Sequence, residues 1–395
     1  METRARKKAR LSCSPWPALP PDVAGEVLLR LRSYADRACF GAVCRSWRFS
    51  AEQHPLPPRL PCLVFADGTF RGFPEDDRPF RLPAAAGHRG SCGEWLLFKR
   101  VDGAYSLASP FSKAAAAAVP LPSLSSVRAH HEPICAVDER DVPEYDVRWW
   151  RLRELLADGE PEPRRWRLGK LALCRPGAAA AWSVSSADQW RRIKDMVVHR
   201  GELYAVDHNE DLLAVTVGGD GVPRVSGIGR AIEGAPPELE VPARRVTLHY
   251  LVDSGEALLM VRREVCRGRR PGQGRDLEER FAVFKADFRS SRWAEVSAVG
   301  EGVALFVGRW CSRAVRVPEE RRRQWAGRVF FLEEGVRHER QLLTRGQRYS
   351  LSAYDVRSRT TNSLLPAVTS RDGDDLLPAT WLFPSGGENK INCGA

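Results

Sequence analysis

The sequence predicts a multidomain α+β chain, with a small N-terminal three-helix unit followed by an all-β, propeller-like domain of about six or seven irregular blades. Three observations predict it. Apolar residues keep a helical spacing between Trp16 and Gln53. The run "HPLPPRLP", His54–Pro61, then breaks any helix, because prolines lack an amide donor and push the residues before them out of the α region. Beyond it, short apolar runs such as "CLVFADG", "MVVHRGELYAVD" and "VTLHYLVDSGEALLMVRREV" alternate with Gly, Asp, Pro and Ser, the habit of strands joined by tight turns.

These signals divide the chain into a disordered basic tail (1–15), the helical unit (16–54), a Pro-rich linker (55–61), the β domain (62–384) and a disordered tail (385–395). In the helical unit, Pro20 and Pro21 end an extended approach, and Asp22 is placed as an N-cap. Val23, Val27 and Leu31 form one helical stripe, widened by Leu28 and flanked by Glu26, Arg30 and Arg32. Ser33 and Asp36 signal a turn and a second cap. A second helix brings Phe40 and Val43 inward, and "VCRSWR", Val43–Arg48, continues the register and adds Trp47. So small a unit leaves apolar surface uncovered, and Leu19 and Pro20 add more before the first helix. Uncovered apolar surface marks an interface, so the unit reads as a docking module completed by another protein.

The β domain is roughly 320 residues, too long for one sandwich but suited to blades of about 40–50 residues. A weak internal repeat supports this. "FAVFKADFRS" (Phe281–Ser290) and "YSLSAYDVRS" (Tyr349–Ser358) share aromatic, aliphatic, Asp, apolar, Arg and Ser at matching positions, and "YSLASPFSK" (Tyr105–Lys113) is the same pattern one residue shorter. Each reads as a strand, a turn at Asp or Pro, and a return strand. "KAAAAAV" (Lys113–Val119) is expected as strand edge or loop, and Asp146–Gly159 as a short helix or insertion. Arg262–Arg280 is expected as a charged, Gly-rich loop between two strands of one blade.

Composition excludes several function classes. Lys+Arg 61 against Asp+Glu 50 gives a net charge of +11. The basic residues are spread along the whole chain, so nucleic-acid binding ranks low, resting on the tail and on "RREVCRGRR" (Arg262–Arg270) with no accompanying recognition motif. The run Arg4 to Arg10 is a nuclear import candidate; the alternative is a solvated tail. The ten cysteines form no CxxC pair and read as reduced, mostly buried thiols of an intracellular protein of nucleus or cytoplasm. No apolar stretch reaches membrane-spanning length, and the N-terminus lacks a signal peptide's apolar run. GxSxG, HExxH, P-loop and GxGxxG motifs are all absent. His130 and His131, near Glu132 and Cys135, have no second ligand pair at metal spacing. Asp76–Asp77, Glu319–Glu320 and Asp374–Asp375 read as solvated turn carboxylates. The expectation is a chain with no catalytic residue, no metal and no cofactor.

The stretch "LPPDVAGEVLLRL…VCRSWR" resembles the F-box, with Ala35 and Ala38 standing where many F-boxes have larger residues. The resemblance implies binding to a Skp1-like adaptor, and through it to a cullin–RING ligase. It implies that Leu19, Pro20, Val27, Leu28, Leu31, Val43, Cys44 and Trp47 make that contact, core packing being the other role open to them. Downstream, "GEGVALFVGRWCSRAVRV…WAGRVFFLEE…YSLSAYDVRSRTTNSLLP…ATWLFPS" resembles the plant F-box proteins with a C-terminal DUF295, or KIB-type, β-propeller. The carrying residues are Ala304–Gly308, Val329–Phe331 with Glu333 and Glu334, Tyr349–Ser358 and Trp381–Pro384; Ile193–Asp207 resembles a middle blade. Together the resemblances imply the substrate-recognition subunit of an SCF ubiquitin ligase, whose propeller holds an unknown target protein. The alternative is an interaction protein that binds Skp1 or a target without promoting ubiquitination.

Overall fold

A computed structural model of the chain describes residues 19–31, 34–53, 61–72, 79–101, 104–110, 118–121, 172–173, 183–184, 193–218, 224–234, 245–267, 277–308, 310–333, 348–369 and 379–383. Both tails, including Arg4 to Arg10, lie outside the described residues. So do most of the linker, Asp76–Asp77, most of Lys113–Val119, His130–Cys135, Asp146–Gly159, Cys174 and Asp374–Asp375.

Three helices come first: α1 (Pro21–Arg30), α2 (Tyr34–Val43) and α3 (Arg45–Gln53). Pro20, not Asp22, takes the N-cap position of α1, and no side chain caps it. Proline at the first helical position explains the shift, since Pro21 has no amide to satisfy and a φ already suited to the helix. Asp22 stands instead in the first turn, where a negative charge favours the helix dipole. The stripe is split between interior and surface. Ala24, Gly25 and Leu28 are buried, whereas Val23 is 47% and Val27 36% exposed. Ala24, Leu28 and Leu31 keep helical spacing too, and their face, with small Ala24 and Gly25, lets α3 pack closely.

Phe40 on α2 is buried and stacks on Trp47 of α3, with ring centroids 4.4 Å apart. Val43 points outward rather than inward, at 60% exposure. "VCRSWR" is a corner, not a continuous helix: α2 ends at Val43, and Cys44 stands between the helices. Its Sγ accepts from the Trp47 amide at 3.5 Å, the position a capping side chain would occupy. Leu19, Leu31, Trp47 and Ala51 pack around the core of Ala24, Leu28 and Phe40.

The β domain is a propeller. The first blade holds β1 (Cys62–Val64), β2 (Thr69–Gly72) and β3 (Phe80–Arg81). The second holds β4 (His88–Cys92), β5 (Trp95–Lys99), β6 (Tyr105–Ala108) and β7 (Val119–Pro120). A two-stranded sheet, β8 (Ala172–Leu173) and β9 (Ser183–Val184), follows. The third blade holds β10 (Ile193–His199), β11 (Glu202–Asp207), β12 (Leu212–Gly218) and β13 (Arg224–Ile232). The fourth holds β14 (Arg245–Asp253), β15 (Leu258–Arg267), β16 (Leu277–Asp287) and β17 (Arg292–Glu295). The fifth holds β18 (Val303–Val307), β19 (Arg313–Arg316), β20 (Arg328–Glu333), β21 (Arg348–Asp355) and β22 (Thr360–Thr369). Finally β23 (Thr380–Leu382) returns to pair antiparallel with β1, Trp381 opposite Leu63, so the C-terminal strand completes the N-terminal blade.

Five blades therefore stand among the described residues, against the six or seven expected. Part of the difference is that one blade takes an unusually long stretch of chain. The fifth blade alone runs from Val303 to Thr369, because β18 and β20 are parallel and need a crossover between them. That crossover carries β19, a 3₁₀ turn (Glu319–Arg321) and α4 (Arg322–Trp325), whose Trp325 packs edge-on against Phe330. Glu319 and Glu320 are exposed, and Glu319 pairs with Arg322 at 2.9 Å.

Strand alternation builds the core between blades. Along β14 and β15, Leu251, Leu258 and Met260 join Tyr204, Val206 and Leu212 of the third blade. Their alternate neighbours Tyr250, Val252, Leu259 and Val261 face the fifth blade, meeting Leu305, Val307, Val329 and Phe331. One step along the same strands, Ala304, Phe306, Phe330 and Leu332 turn to the first blade and meet Leu63, Trp381 and Phe383. A blade packed on both faces buries successive residues, which explains unbroken runs such as "ALFV" and "VFFL".

The repeat occupies one structural place. All three copies begin in the third or fourth strand of a blade, β6, β16 and β21, and the copies ending at Ser290 and Ser358 go on into the turn that leads to the next strand. Asp287 Oδ1 accepts the amides of Arg289 and Ser290, and Asp355 Oδ1 those of Arg357 and Ser358. Ser291 and Arg359 then take the same left-handed conformation, φ 51° and 55°. The expected loop Arg262–Arg280 is corrected: Arg262–Arg267 and Leu277–Arg280 are paired strand, with Glu264 opposite Arg280. Charge at those positions had disguised a β-hairpin.

Candidate docking surface and polar seams of the propeller

The helical unit separates its side chains into two sets. Leu28 belongs to its buried core, Leu19, Leu31 and Trp47 pack against that core half-buried, and Cys44 is half-buried at the corner. Pro20, Val27 and Val43 are exposed. Val23, Leu29 and Phe49 are exposed as well, and the sequence reading did not single out the last two. On the much larger propeller the exposed large hydrophobics among the described residues are Val101, Met196, Val198, Val217 and Phe288. Apolar exposure is thus concentrated on three short helices.

The propeller's buried polar groups lie in the seams between blades. His199 Nδ1 on β10 donates to Asp253 Oδ1 on β14 at 2.8 Å, and Asp195 Oδ2 accepts the Leu251 amide at 2.8 Å. Both bonds tie the first strands of the third and fourth blades. Next to them, the turn after β11 projects Glu210, whose φ of 65° is in the left-handed region. Its carboxylate accepts from His249 Nε2 at 2.8 Å and from Arg262 Nη1 at 3.3 Å, while its carbonyl accepts from Trp293 Nε1 at 2.7 Å. An ionised carboxylate only accepts, so Nε2 carries the imidazole proton. Burial raises a carboxyl's pKa, but the His249 hydrogen bond and the charges of His249 and Arg262 outweigh it and hold Glu210 below its ordinary value.

Arg263, one residue on, faces the other seam and is 1% exposed. Its Nη2 donates to Glu279 at 2.6 Å and its Nη1 to the Leu332 carbonyl of the fifth blade at 3.2 Å. The guanidinium lies 4.4 Å from the Phe331 ring centroid. Arg262 and Arg263, two of the basic residues behind the nucleic-acid reading, are therefore internal ties, not a phosphate-facing patch. No sequence signal marked Glu210 or His249, because they are partners on different blades, and Arg263 stood out in the sequence only for its charge, not for its tie to Glu279.

Among the described residues, no three His, Cys, Asp or Glu side chains gather as a metal site, and no helix is long and apolar enough to cross a membrane. Cys62 is buried, Cys44 and Cys311 are half-buried, and Cys39 and Cys92 are exposed, so burial of the cysteines is less general than expected. A cleft of about 600 Å³ is lined by Glu256, Glu301, Arg316 and Arg322 beside Val299 and Val303, between the fourth and fifth blades.

A family model, the KIB1-4 beta-propeller, matches residues 70–355, well over half of the sequence. The chain belongs to the KIB1-4 beta-propeller family. The KIB1-4 match begins inside β2 and ends with the last residue of β21, so the family assignment rests on the blades and not on the helices. It is consistent with a protein-interaction role for the propeller. No curated protein matches the chain.

Proposed function

We propose that this KIB-type propeller protein is the substrate-recognition subunit of an SCF ubiquitin ligase. Its three helices act as an F-box docking a Skp1-like adaptor, and its DUF295-type propeller holds a target protein. The observation that carries the reading is the exposed set Val23, Val27, Leu29, Val43 and Phe49 on a unit whose buried apolar side chains, among the described residues, are Ala24, Leu28 and Phe40. Such a surface is stabilised when a partner covers it. The propeller supplies a rigid scaffold whose loops carry recognition. No residue of this chain then performs chemistry: holding a target lysine beside a charged conjugating enzyme raises its effective concentration.

The test is a pull-down with a purified Skp1-like adaptor, followed by reconstitution with cullin. The Leu19→Ala/Pro20→Ala variant tests the approach to α1, but Leu19 also packs the core. Val27→Asp/Val43→Asp is the cleaner variant, because both side chains are exposed. The expected outcome is adaptor binding weakened at least about tenfold with circular dichroism unchanged. Equal binding by wild type and the Asp variant sinks the F-box reading. Adaptor binding without cullin recruitment supports an interaction protein that does not promote ubiquitination.

A further inference from the structure

The residue after Cys92 meets the Cys311 thiol where the second blade touches the fifth. Cys92 ends β4, and Gly93 begins the tight turn into β5. The Gly93 amide donates to Cys311 Sγ at 3.4 Å. Standard backbone dimensions therefore put the Cys92 Cα within about 6 Å of that sulfur. A second contact fixes the same two segments: a Cβ added to Gly90 would lie 2.7 Å from the Trp310 ring, so β4 and the chain before Cys311 are already at their closest approach. Cys92 is exposed and Cys311 is half-buried. We propose that Cys92 and Cys311 form a reversible disulfide that staples the second blade to the fifth.

The two thiols differ in role. Burial, and then the nearby Cys92, push the Cys311 thiol up to about 12, so it is not the first to react. The accessible Cys92 thiolate attacks glutathione disulfide and expels one glutathione thiolate. Cys311 sulfur then attacks the Cys92 sulfur of the mixed disulfide. The Cys92–glutathione bond breaks, and the Cys311 proton passes to the departing glutathione. Two electrons leave the protein and reduce one glutathione disulfide to two thiols.

The full chain is equilibrated in glutathione buffers of graded ratio, quenched with acid, and measured by intact mass and non-reducing peptide mapping. The expected product has lost roughly 2 Da and yields a Cys92–Cys311 cross-linked peptide. Its thermal midpoint should rise by roughly 5 °C, since the bond closes a long loop. Cys92→Ser, at an exposed site, and Cys311→Ala should each abolish the cross-link. A glutathione adduct on Cys92 as the sole product overturns the proposal, as does a mass loss that survives in Cys92→Ser.

Discussion

Glu210 and His249 are joined across two blades by a 2.8 Å hydrogen bond, and the same carboxylate holds Arg262. The turn carrying Glu210 is a peg of the third blade set into the fourth. Its carboxyl pKa is depressed, so the stability it contributes is present above its ordinary value of 4.5 and is lost as pH falls through the lower folded value. Acid unfolding of wild type should therefore show a loss that Glu210→Gln lacks. At neutral pH, Glu210→Ala should cost roughly 2–4 kcal/mol in urea titration, because His249 and Arg262 are left without their acceptor.

Arg263 and Glu279 behave differently from a surface pair. With Arg263 buried against Phe331, removing only its partner strands a charge. Glu279→Ala should destabilise by roughly 3 kcal/mol or more, while Arg263→Met/Glu279→Met, which removes both charges, should cost much less. Equal losses in the single and double variants would show that the pair's charge is not what matters.

Gly90 is required by its neighbour. Gly90→Ala puts a methyl into Trp310 and should cost about 1–3 kcal/mol. Trp310→Leu should recover part of that loss, and a double-mutant cycle by thermal denaturation measures the coupling. Simple additivity of the two substitutions would show that no contact is shared.

The Asp355 turn makes a smaller contribution. Its carboxylate takes the amides of Arg357 and Ser358, and the Ser358 bond is the first cause of its lowered pKa. Asp355→Ala should cost about 1 kcal/mol, as loss of a capping acceptor does elsewhere. Asp355→Asn should retain most of the stability and remove the part lost on acidification below its ordinary carboxylate value, 3.8.

Strands were legible wherever apolar runs met turn residues, as in Ile193–Asp207, which became β10, the hairpin turn and β11. The repeat was legible because its chemistry is local: Asp287 and Asp355 bind amides two and three residues on. The resemblance from Ala304 to Pro384 fell on residues that pack together, Phe306, Phe330 and Trp381 among them. Arg262–Arg267 misled because charge in a strand looks like loop when its partners, Glu210 and Glu279, are distant in sequence or hidden by a turn. The roles of Val23 and Val27 were left open because two helical stripes overlap on α1, and only the packing of α3 chooses between them.

The sequence by itself determined the boundary between helices and strands, the turns, and the all-β class of the long domain. Those follow from side-chain period, proline and local hydrogen bonding, which act within a few residues. Only the tertiary structure decided which face of α1 is covered, that five blades stand among the described residues, and that β23 completes the first blade on β1. It alone brought Glu210 to His249 and Cys92 beside Cys311. Contacts between blades join residues far apart in the chain, and no local preference encodes which distant partner fills a seam.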